Sequence, residues 1–341
     1  MKAVGFTQSL PADNANALID IELPEPVVSG HDLLIEVRAV SVNPVDTKVR
    51  RNAAPTDGKP RVLGFDASGI VRAVGSACTL FKVGDEVFYA GTLLRQGSNA
   101  QQQLVDERIV GHKPTSLNFA QAAALPLTSV TAWELLFDRL QIPRGVNSYN
   151  AADNLLIVGG AGGVGSIAIQ LARQLTSLNI IATASRPASA AWCREFGAHH
   201  VIDHSRSLRD ELKNAGIESV RYVASLTQTE QHYAHYADII APQGRLGLID
   251  DLTAPLDIRP LKSKSISLHW ESMFTRSIFT THDLIAQHEA LNAVSEMVDA
   301  GQLRTTLSEI IGPINATNLC RAHALIESGR SLGKLVLEGF N

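Results

Sequence analysis

The feature that most constrains this chain is a glycine-rich turn between an apolar strand and a helix. Residues 155–158 (LLIV) are typical of a buried strand, and the run that starts at Val164 (VGSIAIQLARQL) is typical of a helix. The turn between them, 160–165, fits the pattern G-x-G-x-x-G. In this strand–turn–helix setting the pattern predicts a dinucleotide-binding site, and the alternative is a structural turn without a ligand.

Each glycine of the pattern has a physical role in such a site. Gly160 permits the tight turn, Gly162 lets the backbone approach a pyrophosphate, and Gly165 lets helix and strand pack closely. The helix N-terminus presents free N–H groups and a partial positive charge to the phosphates. The predicted cofactor-binding turn consists of Gly160, Ala161, Gly162, Gly163, Val164 and Gly165.

The residues after the second predicted strand indicate which cofactor binds. A site for NAD usually places Asp or Glu about 20 residues after the turn, where it holds the ribose 2′-hydroxyl. This chain has Ser185 and Arg186 there, and no acidic residue occurs between Gly159 and Glu195. A hydroxyl and a forked guanidinium suit a 2′-phosphate, so the sequence predicts NADP(H). The alternative is a solvated Arg186 and NAD as cofactor.

The sequence pattern divides the chain into a strand-rich part and a part in which predicted strands and helices alternate. The first 125 or so residues hold short β-branched segments separated by frequent Gly and Pro, which is typical of a barrel-like or sandwich-like β domain. From 155 onward, predicted strands at 155–158, 180–184, 200–203, 221–225 and 245–250 alternate with helices. Such alternation predicts βαβ units and a parallel sheet, so the fold class is α/β.

Composition excludes several classes of protein. The 30 Lys and Arg residues against 34 Asp and Glu give a net charge of −4, which disfavours a nucleic-acid binder. Three scattered cysteines do not form a disulfide framework and fit a reducing compartment. The N-terminus lacks the apolar core of a signal peptide, so we expect a soluble, cytoplasmic protein without a membrane span.

Several further segments carry a resemblance to a known family. They are 41–46 (SVNPVD), 64–71 (GFDASGIV), 83–87 (VGDEV), 125–132 (LPLTSVTA) and 333–337 (GKLVL). With these and the glycine-rich turn, the chain resembles the medium-chain dehydrogenase/reductase superfamily over essentially its whole length. Within it, the chain looks like the zinc-independent quinone oxidoreductase branch, and more closely like the bacterial zinc-type alcohol dehydrogenase-like proteins.

The resemblance implies an architecture. It assigns 1–126 and 285–341 to a GroES-like catalytic domain and 127–284 to a Rossmann nucleotide-binding domain, with the active site in the cleft between them. It also implies a homodimer that acts on a small molecule and binds neither nucleic acid nor a membrane.

The resemblance also bears on zinc. Zinc alcohol dehydrogenases place a Cys where this chain has Asn43, and Gly-His-Glu where it has Gly64, Phe65 and Asp66. A phenylalanine cannot bind a metal, and an amide is a poor zinc ligand. The four-cysteine structural lobe is absent from the sequence as well. We therefore expect no metal site, and a zinc-dependent alcohol dehydrogenase stays an alternative.

The resemblance places Asn43 and Asp46 on a loop facing the nicotinamide. Asn43 would donate a hydrogen bond to a carbonyl oxygen that gains charge during the reaction. Asp46 would either take part there or fix the loop by accepting backbone N–H bonds. Thr128 and Thr131 would lie near the nicotinamide carboxamide, and the alternative for them is capping of the helix around Pro126.

Two further expectations concern the cofactor site, and a third concerns two histidines that are not expected to bind a metal. Lys334 would approach the cofactor from the C-terminal tail. His204 stands where relatives often carry a tyrosine on the wall of the 2′-phosphate site, and it either contacts that phosphate or is a surface residue. His232 and His235 are expected on an exposed helix face.

These residues predict a reaction class. The expected activity is NADPH-dependent transfer of a hydride to a quinone or an α,β-unsaturated carbonyl without catalytic zinc. A non-enzymatic NADPH-binding protein is an alternative from another class.

Overall fold

The computed structural model describes residues 1–145 and 153–340, which contain sixteen strands and ten α-helices. The strands are β1 (Lys2–Phe6), β2 (Ile19–Glu22), β3 (Asp32–Val42), β4 (Arg61–Val62), β5 (Ala67–Val74), β6 (Glu86–Tyr89), β7 (Gln102–Asp106), β8 (Val110–His112), β9 (Asn154–Val158), β10 (Asn179–Thr183), β11 (His200–Ile202), β12 (Val220–Ser225), β13 (Ile240–Leu248), β14 (Ser267–Trp270), β15 (Leu307–Gly312) and β16 (Lys334–Glu338).

The described α-helices are mostly short. They are α1 (Pro44–Asn52), α2 (Phe119–Ala123), α3 (Pro126–Trp133), α4 (Gly163–Leu175), α5 (Pro187–Glu195), α6 (Leu208–Asn214), α7 (Thr229–Ile239), α8 (Thr275–Phe279), α9 (Ala286–Asp299) and α10 (Ala316–Glu327). Short 3-10 helices lie at Glu107–Ile109 and Arg259–Lys264, and α3 continues into a π-helical segment at Glu134–Arg139. No described helix is long and apolar enough to cross a membrane.

The chain forms two compact units, and the first is β-rich. It comprises Met1–Val130 together with Phe274–Asn341. Its main sheet has the order β15-β16-β3-β5-β6-β8, and β7 pairs with β3 beside this path. A smaller antiparallel sheet has the order β2-β1-β4. The C-terminal strand β16 therefore lies inside the main sheet, antiparallel to β3, and Leu335 is opposite Val42.

The second unit, Thr131–Met273, contains a six-stranded parallel sheet. Its strand order is β11-β10-β9-β12-β13-β14, and every neighbouring pair is parallel. β9 and β10 are buried along almost their whole length, as expected when helices cover both faces of such a sheet. Apolar side chains from strands and helices share one core cluster here, with Leu156, Val223 and Leu246 among its members.

The predicted α/β class is confirmed, and most predicted elements lie within a few residues of the observed ones. The helical segment that starts at Phe119 is divided around Pro126, because proline lacks an N–H and clashes with the preceding turn. β14 was not predicted. Its four residues, SLHW, lie at the sheet edge and are exposed or half-exposed, so they lack the buried apolar run of β9 and β10.

Candidate active site

A fully buried polar network lies at the end of β3 in the first unit. Asn43, Asp66 and Lys334 are each no more than 2 % exposed. The pairing of β16 with β3 brings Lys334 next to Asn43, although the two are 291 residues apart in the chain. The Lys334 ammonium donates to Asn43 Oδ1 (2.5 Å), to Val42 O (2.9 Å) and to Asp66 Oδ2 (3.0 Å). Its three donors are thus all satisfied.

Asp66 lies at the centre of this network. Its Oδ2 also accepts from Asn43 Nδ2 at 2.8 Å, and its Oδ1 accepts from the Leu127 N–H at 2.7 Å. Burial raises the pKa of Asp66, whereas Lys334 and these hydrogen bonds act in the opposite direction. The Asn43 amide is therefore held at both ends, with Ser41 O as a second and longer acceptor at 3.5 Å.

The contacts of Asp46 are those of a residue that fixes a loop, which is one of the two roles that the sequence left open. It accepts the backbone N–H of Asn43 (2.8 Å) and that of Gly64 (3.0 Å), and so joins the start of α1 to the segment before β5. Burial raises the pKa of Asp46 from 3.8 to about 7 against these two hydrogen bonds and the charge of Lys334. Its place in the first turn of α1 is favourable for a negative charge.

The threonines of the 125–132 segment are both buried. Thr128 Oγ1 donates to Leu125 O at 3.1 Å, which is the helix-start contact named as its alternative role. Thr131 lies on the same helix, α3, and is 5 % exposed. Their roles at a nicotinamide stay predictions.

The donor set at the position of catalytic zinc does not fit a zinc ion. Phe65 offers an apolar ring that packs edge-on against Phe274. The oxygen of Asn43 is taken by the Lys334 ammonium, and the Asp66 carboxylate accepts from the same ammonium. Asn43 and Asp66 are thus both paired with a cationic side chain. Among the described residues, no group of three or more His, Cys, Asp or Glu side chains is placed to hold a metal ion.

The glycine-rich turn in the second unit has the close packing that its sequence predicts. A Cβ added at Gly165 would lie 2.4 Å from Gly159 O, and one added at Gly160 would lie 2.8 Å from the Ala182 Cβ. Both positions therefore require glycine. The residue with the left-handed backbone is Gly159 (φ +86°), one position before the motif, so Gly160 serves close packing and Gly159 makes the turn.

Gly162 differs from these glycines because a Cβ there would have room within the protein. Its nearest neighbour would be Gly159 O at 3.5 Å, an ordinary contact. Gly162 precedes α4, which begins at Gly163, so the first N–H groups of a 13-residue helix follow directly. Ala161 and Val164 complete the turn. Such a helix start fits the pyrophosphate of a dinucleotide.

The predicted 2′-phosphate residues follow the carboxyl ends of two adjacent strands. Ser185 and Arg186 come after β10, and His204 comes after β11, its neighbour in the sheet. Ser185 and Arg186 are exposed, and His204 is half-buried. His204 Nδ1 lies 3.0 Å from Thr183 Oγ1. Burial lowers the pKa of His204, Asp203 opposes this, and the nearby charge of Arg186 lowers it further.

His232 was expected on an exposed helix face, and this expectation is wrong. The side chain is 6 % exposed, and its ring lies 6.2 Å from that of His204 in an edge-to-face arrangement. The buried residues of α7 are Thr229, His232, Tyr233, Tyr236 and Ile239, which is the spacing of one helix face. Helical periodicity applied to this segment would have placed His232 inside.

Comparison with known proteins agrees with this geometry. Residues 29–132 match the family model of the alcohol dehydrogenase GroES-like domain, and residues 196–337 match that of zinc-binding dehydrogenases. A zinc-type alcohol dehydrogenase-like protein of Staphylococcus epidermidis is 40% identical over 337 residues, which covers 99% of both chains. A human mitochondrial NAD(P)H oxidoreductase is 29% identical over 90% of this chain and 81% of its own length.

Solved structures show the same relationship. A crystal structure from Rhizobium etli CFN 42, described only provisionally as a zinc-dependent alcohol dehydrogenase, has a TM-score of 0.95 and 57% identity over 100% of this chain and 98% of that one. The quinone oxidoreductase from Coxiella burnetii has a TM-score of 0.79 and 27% identity over 99% of both chains.

The chain therefore belongs to the medium-chain dehydrogenase/reductase superfamily, among the zinc-type alcohol dehydrogenase-like proteins. It is an oxidoreductase of this family, and it shares the fold of quinone oxidoreductases.

Proposed function

We propose that this protein is an NADP(H)-dependent oxidoreductase that transfers a hydride to a quinone or an α,β-unsaturated carbonyl without catalytic zinc. The observation that carries the proposal is the Lys334 ammonium buried between Asn43 and Asp66, at the positions where zinc enzymes have metal ligands. Relatives named as a quinone oxidoreductase and as an NAD(P)H oxidoreductase support the same class.

The acceptor class follows from the chemistry of the two candidate substrates. Oxidation of a simple alcohol needs help to remove the hydroxyl proton, which zinc provides as a Lewis acid. A quinone or enone already accepts electron density in its conjugated carbonyl, and the resulting oxyanion needs only hydrogen-bond donors. Because Asp66 is paired with Lys334 and Asn43, its carboxylate is not available to take the hydroxyl proton of an alcohol, which favours the second kind of substrate.

We assign the cofactor to the second unit. When bound, NADPH supplies the hydride from its nicotinamide ring. Gly162 and the start of α4 would hold the pyrophosphate, and Ser185, Arg186 and His204 would hold the 2′-phosphate. Asn43, Asp46, Thr128, Thr131 and Lys334 stay candidates for the nicotinamide and substrate end. Asp46 would act by fixing its loop, through its bonds to the Asn43 and Gly64 N–H groups.

Two glycine variants separate cofactor binding from folding. Gly162→Ala is expected to keep the stability of the parent protein and to weaken NADPH binding, because its methyl group has room in the protein. Gly165→Ala is the matched control and should destabilise the second unit by about 1–3 kcal/mol, through overpacking against Gly159 O. Unchanged NADPH binding by Gly162→Ala would contradict the assignment of the turn.

Cofactor choice is tested at Arg186. NADPH should bind about 10–100-fold more tightly than NADH, because a charge-assisted contact contributes roughly 1.5–3 kcal/mol. Arg186→Ala should weaken the binding of NADPH and leave the binding of NADH nearly unchanged. Arg186→Lys keeps the charge but not the forked guanidinium, so its affinity for NADPH should lie between those of the parent and Arg186→Ala. An equal loss of affinity for both cofactors would show that Arg186 does not bind the 2′-phosphate.

An acceptor screen followed by NADPH absorbance tests the reaction. We expect turnover with quinones or enones, negligible oxidation of ethanol, far less than one zinc per chain, and activity that survives a chelator. Stoichiometric zinc with chelator-sensitive alcohol oxidation would favour a zinc-dependent alcohol dehydrogenase. NADPH binding without oxidation by any acceptor would favour a non-enzymatic binding protein.

Three broader assignments stay predictions. They are the domain limits of 126 and 285, the homodimer, and the cytoplasmic location.

A further inference from the structure

We propose that His232 is a positioning residue of the 2′-phosphate site, where it forms with His204 a pair that takes up one proton when NADPH binds. This inference rests on the proposed cofactor. His232 lies on α7, which is far in sequence from the glycine-rich turn and from the residues that follow β10.

The first observation is a chain of contacts from the glycine-rich turn to His204. Thr183 Oγ1 accepts the Gly159 N–H at 3.0 Å and lies 3.0 Å from His204 Nδ1. Thr183 thus ties the imidazole of His204 to the turn through one of its two ring nitrogens. The other nitrogen, Nε2, is then the one left to serve a phosphate oxygen.

The second observation is the polar edge of His232. Its Nε2 is buried and has no hydrogen-bond partner among residues 1–145 and 153–340. A buried polar atom without a partner costs free energy, so its retention beside His204 calls for a function. That function would be to share in the uptake of a proton when an anion binds beside the two histidines.

The charged and titratable neighbours of the pair fix its behaviour. Asp203 precedes His204, Arg186 faces it from the start of α5, and His235 lies near His232 on α7. Burial lowers the pKa of both histidines. Arg186 lowers the pKa of His204 further, and Asp203 opposes this. Proximity to His204 and His235 lowers the pKa of His232 further. These shifts favour the neutral form of both rings in the free protein.

A 2′-phosphate changes this balance. A dianion next to Arg186 and His204 favours the protonated imidazole, because an opposite charge within a few ångströms raises the pKa of a histidine. His232 limits the uptake to one proton, since two imidazolium rings at 6.2 Å would repel each other. NADPH binding should therefore weaken as the pH rises, and NADH binding should not.

The experiment measures the dissociation constants of NADPH and NADH by calorimetry from pH 6.5 to 8.5, where a phosphate monoester is mainly dianionic. The ratio of the dissociation constant of NADPH to that of NADH should rise about 3- to 10-fold over this range. This rise corresponds to the uptake of at most one proton per site. Titrations in two buffers of different ionisation enthalpy should show proton uptake with NADPH alone.

Variants separate the pair from its surroundings. His204→Gln should abolish both the pH dependence and the proton uptake. His232→Phe keeps an aromatic ring that can take no proton, so no second imidazolium can oppose protonation of His204 and the pH dependence should shift to higher pH. Gln231→Ala, an exposed and uncharged position on the same helix, is the control and should retain the parent profile.

The outcomes distinguish this inference from the proposed function. A pH-independent ratio in the parent protein, or the parent profile in His232→Phe, would overturn the histidine pair while leaving the preference for NADPH intact. A ratio near one at every pH, with Arg186→Ala without effect, would instead overturn the proposed cofactor.

Discussion

Removing the ammonium of Lys334 tests whether the buried network is held by charge. Lys334→Met keeps an unbranched side chain of similar length but leaves Asp66 fully buried without its cation. The carboxylate would keep the donors Asn43 Nδ2 (2.8 Å) and Leu127 N (2.7 Å). Breaking a buried ion pair by removing one partner costs about 3–5 kcal/mol, and we expect a loss of that size at pH 8.

The loss should depend on pH with a definite sign. Burial already raises the pKa of Asp66, and removal of Lys334 raises it further. A carboxyl group whose pKa is raised in the folded state stabilises the fold below its unfolded pKa, and that stability is lost as the pH rises through the folded pKa. The penalty of Lys334→Met should therefore be large at pH 8 and smaller at pH 5.5.

Urea denaturation of four proteins at both pH values measures this. Lys334→Met combined with Asp66→Asn should recover a large part of the loss, because the carboxylate left without its ammonium partner is removed, while Asp46 keeps its two N–H donors. Lys82→Met, an exposed position in the same unit, is the control and should change stability by less than about 0.5 kcal/mol. A penalty that is equal at both pH values and persists in the double variant would refute a charge-based network.

Two further predictions concern other parts of the protein. Burial and the neighbouring Glu134 raise the pKa of Glu271 to about 9, against its contact with Arg139 at 2.8 Å. The free energy of unfolding should therefore fall between about pH 5 and pH 9 by at most roughly 1.4 kcal/mol per pH unit, and Glu271→Gln should flatten this slope in urea titrations. Asn43→Ala should lower kcat with a quinone acceptor about 100-fold if Nδ2, which donates to Asp66 in this structure, turns to the developing oxyanion during the reaction, and an unchanged kcat would contradict that role.

The nucleotide half was predictable because its signals are local. The turn at 160–165 and the alternation of strands and helices depend on residues within a few positions of each other, and the structure has them where the sequence predicts. The tight turn was assigned to Gly160, one residue away from the glycine that makes it. A pattern gives the places of the glycines but not their φ values, so the left-handed residue, Gly159, was missed.

The buried network was less predictable because its contacts are not local. The family resemblance placed Asn43, Asp46 and Lys334 near one another, but no spacing in the sequence indicates that Lys334 donates to Asn43 and contacts Asp66. His232 is a different case. Its burial follows from the period of α7, and the error came from treating two histidines three residues apart as one surface pair.

The C-terminal strand delivers Lys334 to the network through its register. β16 lies between β15 and β3, and the pairing of Leu335 with Val42 sets the neighbouring Lys334 beside Asn43. Successive side chains of a strand point to opposite faces, so a slip of one residue would turn Lys334 away and bring an apolar side chain toward Asp66. The buried charges therefore help to specify this register, because only one alignment pairs the Asp66 carboxylate with an ammonium. The last strand thus joins β15 to β3 within the sheet and places Lys334 in the candidate site.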